Sequence, residues 1–501
     1  MEIFGLLSSQ QLLIIPILIP LAGVAITLLM RDHHQQAIST VVFLSLNLLV
    51  SFILLIEVWI FQHTKIYMVG GWAAPYGITL VGDLLAVMLL FMTQFILLTG
   101  AIYAVGAKDK VLKSFTFYPF FLSLSAGLSG AFLTGDMFNL FVFAEIITLS
   151  GTTLTAISDD PQGAEAAFKY FFISLFASTF FLLAVGALYI GYGTLNMADL
   201  ARQISASPIN PILPFAIIIL MAAFMIKSAV FPFHFWQPDF HTSSPTPVSA
   251  MLSSVVVKLG VYGFIRMTTL IFLPHADMIK SILLVLGILG ILYGSAAALG
   301  TKNAKRMLAY STISQVGFIL VAIAWGNQAG LIAALVFIFN HSLIKAAMLM
   351  LVGALASRSI TKSTTFKILN GLGGYFPTLG ILFLLGAMAL SGLPPTNGFI
   401  NKLLFFRSGV DANAWLPIII TGLASILTII YSMRAYQRLW WFDRPSSEMV
   451  KSTGDSLLAP ILLIVVVLLL GIFPNPLIDL AQATSTWLLQ PANYISLVFG
   501  S

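Results

Sequence analysis

Two stretches of this sequence place a basic side chain beside a helix breaker inside an apolar run. In AAFMIKSAVFPFHFWQPDF (222–240) Lys227 is followed five residues later by Pro232, and in SGLPPTNGFINKLLFF (391–406) Pro394 and Pro395 precede Lys402. Proline has no N–H, so Pro232 takes the helical partner from the carbonyl of Ser228, next to Lys227. Opened backbone at membrane depth persists only where it is buried in protein or lines a wet cavity. The chemistry such a unit can do is proton transfer, with a titratable amine set among freed polar groups and water. An ordinary kink explains one such proline. Two kinks, each with its own lysine, fit that explanation less well.

Glu145, Lys258 and Lys345 also sit well inside apolar runs. Each charge at mid-bilayer costs about 2.5–3.5 kcal/mol, so the set of five costs on the order of 12–17 kcal/mol if unpaired. With four cations and one anion, pairing cannot satisfy them all, and ionisable groups in such positions mark an ion or proton path. In FNHSLIKAAML, His341 and Lys345 are four apart and share a helix face, an imidazole beside an amine, which suits a proton relay. The alternative for His341 is a hydrogen-bonded packing histidine. His234 and His241 are separated by Pro238, so metal binding there is a weak reading and no metal site is expected. Asp83 reads as a cap or a structural partner near one end of its span, and Asp136 as a solvated residue between spans.

The elements that position these groups follow from composition. Of 501 residues, 59% are hydrophobic and 8% charged, against about 25% charged in a soluble domain. That leaves an all-α polytopic membrane protein. With no cysteine, disulfides, thiolate metal sites and cysteine-bound iron–sulfur clusters are excluded within this chain. No glycine-rich phosphate loop is present, so an ATPase is not expected, nor any other enzyme or cofactor. The N-terminal run lacks a basic leader and is too long for a signal peptide, so it reads as a retained first span.

Apolar runs of about 20 residues give about 14 transmembrane helices, near 10–30, 37–61, 78–105, 112–134, 137–157, 166–190, 210–236, 247–272, 277–299, 306–325, 329–356, 375–410, 414–436 and 457–484. With that count, fifteen basic residues fall on one face and five on the other, the second group being Lys65, Arg202, Arg266, Lys280 and Arg407. The positive-inside rule then puts both termini outside a cytoplasmic membrane. The net charge of +6 is therefore a solvated rim, and nucleic acid is not needed as a partner. Trp440 and Trp441 read as interfacial anchors.

Helices 7 and 12 are the broken ones, at comparable places in two five-helix blocks. Residues 1–111 hold spans 1–3, 112–272 the first repeat, 277–436 the second, and 437–501 the basic loop and last span. An odd number of spans per block makes the repeats inverted, the usual construction of a secondary transporter.

The strings LTGDMFNLFVFAEI, IKSAVFPFHFWQPDFH, FNHSLIKAAMLML and LPPTNGFINKLLFF together resemble the antiporter-like subunits of respiratory NADH–quinone oxidoreductase, membrane-bound hydrogenases and Mrp-type Na+/H+ antiporters. The resemblance covers essentially the whole chain. GGWAAPYGITLVGDLLAVM and ISDDPQGAEAAFKYFF bring it nearest to the D-type branch of the Mrp subunits. It implies a Glu145–Lys227 pair gating one half-channel, a central axis of Lys258, His341 and Lys345, and Lys402 as exit group. The implied function is proton translocation within a multisubunit Na+(Li+)/H+ antiporter, alongside other membrane subunits in the lipid bilayer. The alternative is a proton-pumping subunit of a respiratory or hydrogenase complex. Four interior lysines repel a metal cation, so sodium is expected to cross through a neighbouring subunit.

Overall fold

The computed structural model describes residues 10–158, 160–446, 448 and 450–500. The leading MEIFGLLSS lies outside the described residues. Helices α1 (Ile15–Leu29) and α2 (His33–Trp59) lead into an antiparallel hairpin of β1 (Lys65–Met68) and β2 (Thr79–Gly82), with Lys65 opposite Gly82. Then come α3 (Leu84–Val105), α4 (Phe117–Leu133), α5 (Met137–Ala156), α6 (Pro161–Tyr192) and a short α7 (Met197–Ala206). The first interrupted span is α8 (Leu213–Lys227) and α9 (Trp236–Ser243). It is followed by α10 (Thr246–Met251) and α11 (Lys258–Arg266), made continuous by π-helical turns at Leu252–Val256 and Met267–Ile271. Next are α12 (Ala276–Gly300), α13 (Ala304–Ala324), α14 (Gln328–Ala356) and the single turn α15 (Phe366–Leu369). The second interrupted span is α16 (Pro377–Ser391) and α17 (Asn397–Asp411), and the chain closes with α18 (Trp415–Trp440), α19 (Leu458–Ile472), α20 (Asn475–Leu488) and α21 (Pro491–Phe499).

Short polar residues start several of these helices. The Asp83 carboxylate accepts the Ala86 N–H at 2.9 Å, Asp136 that of Asn139 at 2.8 Å, Asn303 that of Arg306 at 3.1 Å and Asn327 that of Gly330 at 2.7 Å. Each satisfies an N–H that the first helical turn leaves free. Among the described residues nine helices are long and apolar enough to cross a membrane, or up to eleven if each bent pair is one span. The fourteen apolar runs are mostly helical, but the count of fourteen spans is not reached by length and composition.

Burial sorts the helices into a core and a shell. The α10–α11 span and α14 are buried along their whole apolar length, whereas only a third of that length is buried in α2 and α18. Lys258, His341 and Lys345 therefore sit on the two most enclosed elements. Close approach in the shell depends on small residues, as expected where lipid gives no hydrophobic drive. A methyl group on Gly317 would stand 2.5 Å from the Gly287 carbonyl oxygen, so α12 and α13 meet backbone to backbone.

Several expectations need correction. The third apolar run begins as strand β2, because Thr79–Gly82 pairs with β1 rather than coiling. The fourteenth run bends by 78° between Ile472 and Asn475, where Pro474 and Pro476 interrupt the ladder, and α20 is an amphipathic helix lying against α14. Three basic residues assigned to the two faces, Lys305 to the fifteen-residue face and Lys65 and Arg266 to the other, are buried. Lys65 pairs with Glu57 at 2.7 Å, Lys305 donates to the Ser244 carbonyl at 3.0 Å, and Arg266 lies inside a span. Asp136 is half-buried as a cap, and its carboxyl is held above the usual range by burial, against the opposing pull of the Asn139 and Phe138 N–H groups. Trp440 packs inward on Phe383 and Tyr436, leaving Trp441 as the exposed indole of that pair.

Candidate functional site

Lys227 is the last residue of α8, so the helix stops at the lysine itself and not at Pro232. The turn is made by Ala229 at φ +52°, with the Ala229 and Val230 N–H groups bonded back to Ile226 and Met225 at 3.1 and 2.9 Å. The indole N–H of Trp236 donates to the Ile226 carbonyl as well, at 3.2 Å, so that acceptor is bonded twice. A lysine at this end meets the negative end of the helix dipole. Its amine lies 3.4 Å from Glu145 Oε1, but its shortest bond, 2.6 Å, goes to the Thr148 hydroxyl one turn along α5. Ser178 on α6 completes the clasp, standing 3.4 Å from the amine and donating to the same Glu145 oxygen. Neither hydroxyl stands out in the sequence, where Thr and Ser within apolar helices have no distinguishing spacing.

The second break repeats the relation with different chain geometry. Lys402 is on α17, past the break, and reaches back so that its amine donates to the carbonyl of Ser391, the last residue of α16, at 2.7 Å. The Lys402 amine thus caps the carboxyl end of a half-helix, whereas Lys227 ends its half-helix with its amine turned to α5 and α6. Gly392, at φ +78°, makes room for Lys402, since a methyl there would sit 2.5 Å from Lys402 Cδ. A triangle of carboxamides stitches α17 to α14. Asn340 Nδ2 donates to Asn401 Oδ1 at 2.7 Å, and Asn397 Nδ2 donates to Asn340 Oδ1 at 2.9 Å.

Between the breaks lie Lys258, His341 and Lys345, all buried. The Lys258 amine is 2.6 Å from His341 Nδ1 and 3.5 Å from the Ser253 carbonyl, an acceptor loosened by the π-helical turn. His341 therefore bonds across to α11 and not along its own helix to Lys345, whose amine donates to the Leu308 carbonyl at 3.0 Å. A hydrogen-bonded line runs from Ser253 to Thr312 at 2.7 Å and from Thr312 to the Leu308 carbonyl at 3.0 Å. That carbonyl accepts from both sides and has no proton to pass on, so this line holds the helices without conducting. The other nitrogen of His341, Nε2, is buried without a partner. It faces a cavity of about 10 Å3 that Gln315, Asn401 and Lys402 also line, a volume at the lower limit for one water. The cavity lies between His341 and Lys402, which share no direct bond.

Lys258, Lys345 and Lys402 have no carboxylate within ion-pair distance among the described residues, and no group of three metal-ligating side chains occurs there either. His241 bonds the Ser249 hydroxyl at 2.9 Å, while His234 packs between Phe231 and Tyr293, so the two histidines do not converge. Asp83 is both cap and partner: it holds the Arg266 guanidinium through two bonds of 2.6 and 2.8 Å.

Fold and site together define a polytopic helical membrane protein with interrupted spans and an interior row of amines. Residues 134–428 match the model of the NADH:quinone oxidoreductase/Mrp antiporter transmembrane family. The chain is 30% identical to the D subunit of the Na+/H+ antiporter of Alkalihalophilus pseudofirmus, over 98% of its own length and 99% of that protein. It is 34% identical to the N subunit of the NADH-quinone oxidoreductase of Desulforudis audaxviator, over 82% of this chain and 85% of that one. A chain of the Mrp complex from Dietzia sp. superposes with a TM-score of 0.89 at 25% identity, over 98% of this chain and 100% of that one. The chain belongs to the NADH:quinone oxidoreductase/Mrp antiporter family of membrane subunits.

Proposed function

We propose that the chain is the proton-translocating subunit of a multisubunit Na+/H+ antiporter, moving protons inward against sodium carried out through the complex. The observation that carries this reading is the row of buried amines without counter-charges. Such groups are costly in a membrane and persist where they handle ions. Protons are taken up at the Glu145–Lys227 clasp, move to Lys258, cross through His341 and leave by Lys402. Lys345 stands beside that row as a fixed donor whose charge acts on its neighbours. Separating Glu145 from Lys227 removes the anion's support for the charged amine, and restoring contact resets the site. The near-complete cover of an antiporter D subunit supports this choice. In this reading 112–272 and 277–436 are inverted repeats, the β1–β2 face is external, both termini lie outside the cell membrane, and companion membrane subunits are the partners.

Exchange measured as Na+-dependent collapse of a pH gradient in everted vesicles tests it. Glu145→Ala and Lys227→Ala should abolish that collapse with the complex still assembled. Wild-type exchange in either variant overturns the assigned roles. The identity to a respiratory N subunit favours one second reading, a redox-driven pump module. Stoichiometric flavin and iron–sulfur absorbance in the purified complex would establish that reading instead.

A further inference from the structure

The proposed proton row leaves unused an ionisable cluster that begins at Lys258 itself. On α11, Lys258, Tyr262 and Arg266 recur at four-residue intervals, so they share one face of the helix over roughly 12 Å of rise. That face runs from the Lys258 amine toward the β1–β2 end of the bundle. Two and three residues beyond Arg266, Thr268 and Thr269 line a cavity of about 170 Å3 that Asp277 and Lys280 also border. A direct route from Lys258 to that cavity would bypass His341 and Lys402.

The route is stopped by chemistry. The Tyr262 hydroxyl donates to the Phe132 carbonyl at 3.3 Å and accepts from Arg266 Nε at 3.1 Å, so its proton and a lone pair are both engaged. A guanidinium does not give up its proton in a protein. Both oxygens of Asp83 are bonded to the guanidinium, and one also takes the Ala86 N–H. The rings of Tyr262 and Tyr494 flank the guanidinium at 5.1 Å each. Side-chain exposure is 4% for Arg266 and 0% for Asp83, so water does not reach the pair. Stability alone does not account for it, because apolar residues of similar size often replace a buried ion pair at no cost.

We propose that Arg266, locked by Asp83, is a proton seal that closes the α11 face toward the β1–β2 end and directs protons from Lys258 to His341. The inference rests on the reading of Lys258 as a proton carrier. Arg266 and Asp83 are positioning residues: they transfer nothing and bar transfer. With the pair removed, water entering from the Thr268–Thr269 cavity can hydrogen-bond Tyr262 and complete the bypass.

The test uses the purified complex in liposomes without sodium, following passive decay of an imposed pH gradient with an entrapped dye. The double variant Asp83→Leu with Arg266→Met should leak protons severalfold faster than wild type, and adding Lys258→Met should return the leak to the wild-type rate. Asp83→Asn with Arg266→Gln, which keeps hydrogen bonds but no charge, should leak similarly and serves if the apolar pair does not assemble. A damaged but unsealed protein would leak regardless of Lys258, which overturns the proposal. So does an unchanged leak in an assembled variant whose Na+/H+ exchange still depends on Lys258, and there the function stands. Exchange in the otherwise wild-type complex that persists in Lys258→Met removes the functional reading and the seal together.

Discussion

The Lys258 amine and His341 Nδ1 lie 2.6 Å apart, joining the two spans that are buried along their entire apolar length. Neither group has a carboxylate partner among the described residues, so the contact is one in which a proton can be held on either nitrogen. In the proposed route the Leu308 carbonyl ends the line through Thr312, which leaves His341 as the link out of Lys258. Replacing His341 by Leu, which fills the space, should slow Na+-driven proton movement by on the order of 10²-fold or more, the usual worth of a positioned proton-transfer group. Exchange rate per assembled complex in liposomes is the measurement.

Thr148 supplies the shortest hydrogen bond to Lys227. Thr148→Val keeps the shape and removes the acceptor. A bond to a charged group is worth about 1.5–3 kcal/mol, so exchange should fall by roughly tenfold to a hundredfold if the loss is felt in the limiting step. Combining it with Ser178→Ala in a double-mutant cycle should show coupling, since both hydroxyls contact one amine.

Gly392 accommodates Lys402 and has φ +78°. Gly392→Ala should destabilise the protein by about 1–3 kcal/mol through the backbone conformation alone and displace the amine from the Ser391 carbonyl. A lower unfolding midpoint together with reduced exchange is expected. Lys402→Met should lose exchange and keep the midpoint.

Phe138, Val142, Glu145 and Leu149 form the outward stripe of α5, and the Glu145 side chain is 29% exposed within it. A carboxylate facing hydrocarbon at that depth is costly, so a companion subunit should cover the stripe. The chain has no cysteine. Single cysteines at Val142 and Leu149 should therefore cross-link to a companion in the assembled complex and resist a lipid-soluble maleimide there, while reacting in the separated chain.

The lysines and both breaks are legible in the sequence because a charge or a proline in an apolar run has few innocent explanations. Family membership is legible for the same reason, carried by strings in which those residues are spaced. What stays hidden depends on contact between distant segments. Arg266 reads as a residue of the less basic face because apolar runs give ends only to within a few residues, and its partner Asp83 is 183 positions away. The pairing of His341 with Lys258 in place of Lys345 is a matter of which way a ring turns on a helix, and four-residue spacing allows either. Pro232 draws attention to the first break, yet the chain turns at Ala229, where nothing in the residue type announces a positive φ. The bend before α20 falls in an apolar stretch that hydropathy reads straight through.

The carboxamide triangle of Asn340, Asn397 and Asn401 gives the two interrupted spans unequal stiffness. Moving α17 against α14 must break buried hydrogen bonds, each costing about 1–3 kcal/mol when left unmade. At the first break α8 is tied to α5 and α6 through the Lys227 amine, bonded to Thr148 and Ser178. The second latch is made of groups that do not titrate, while the first, in the proposed route, slackens each time its amine gives up a proton.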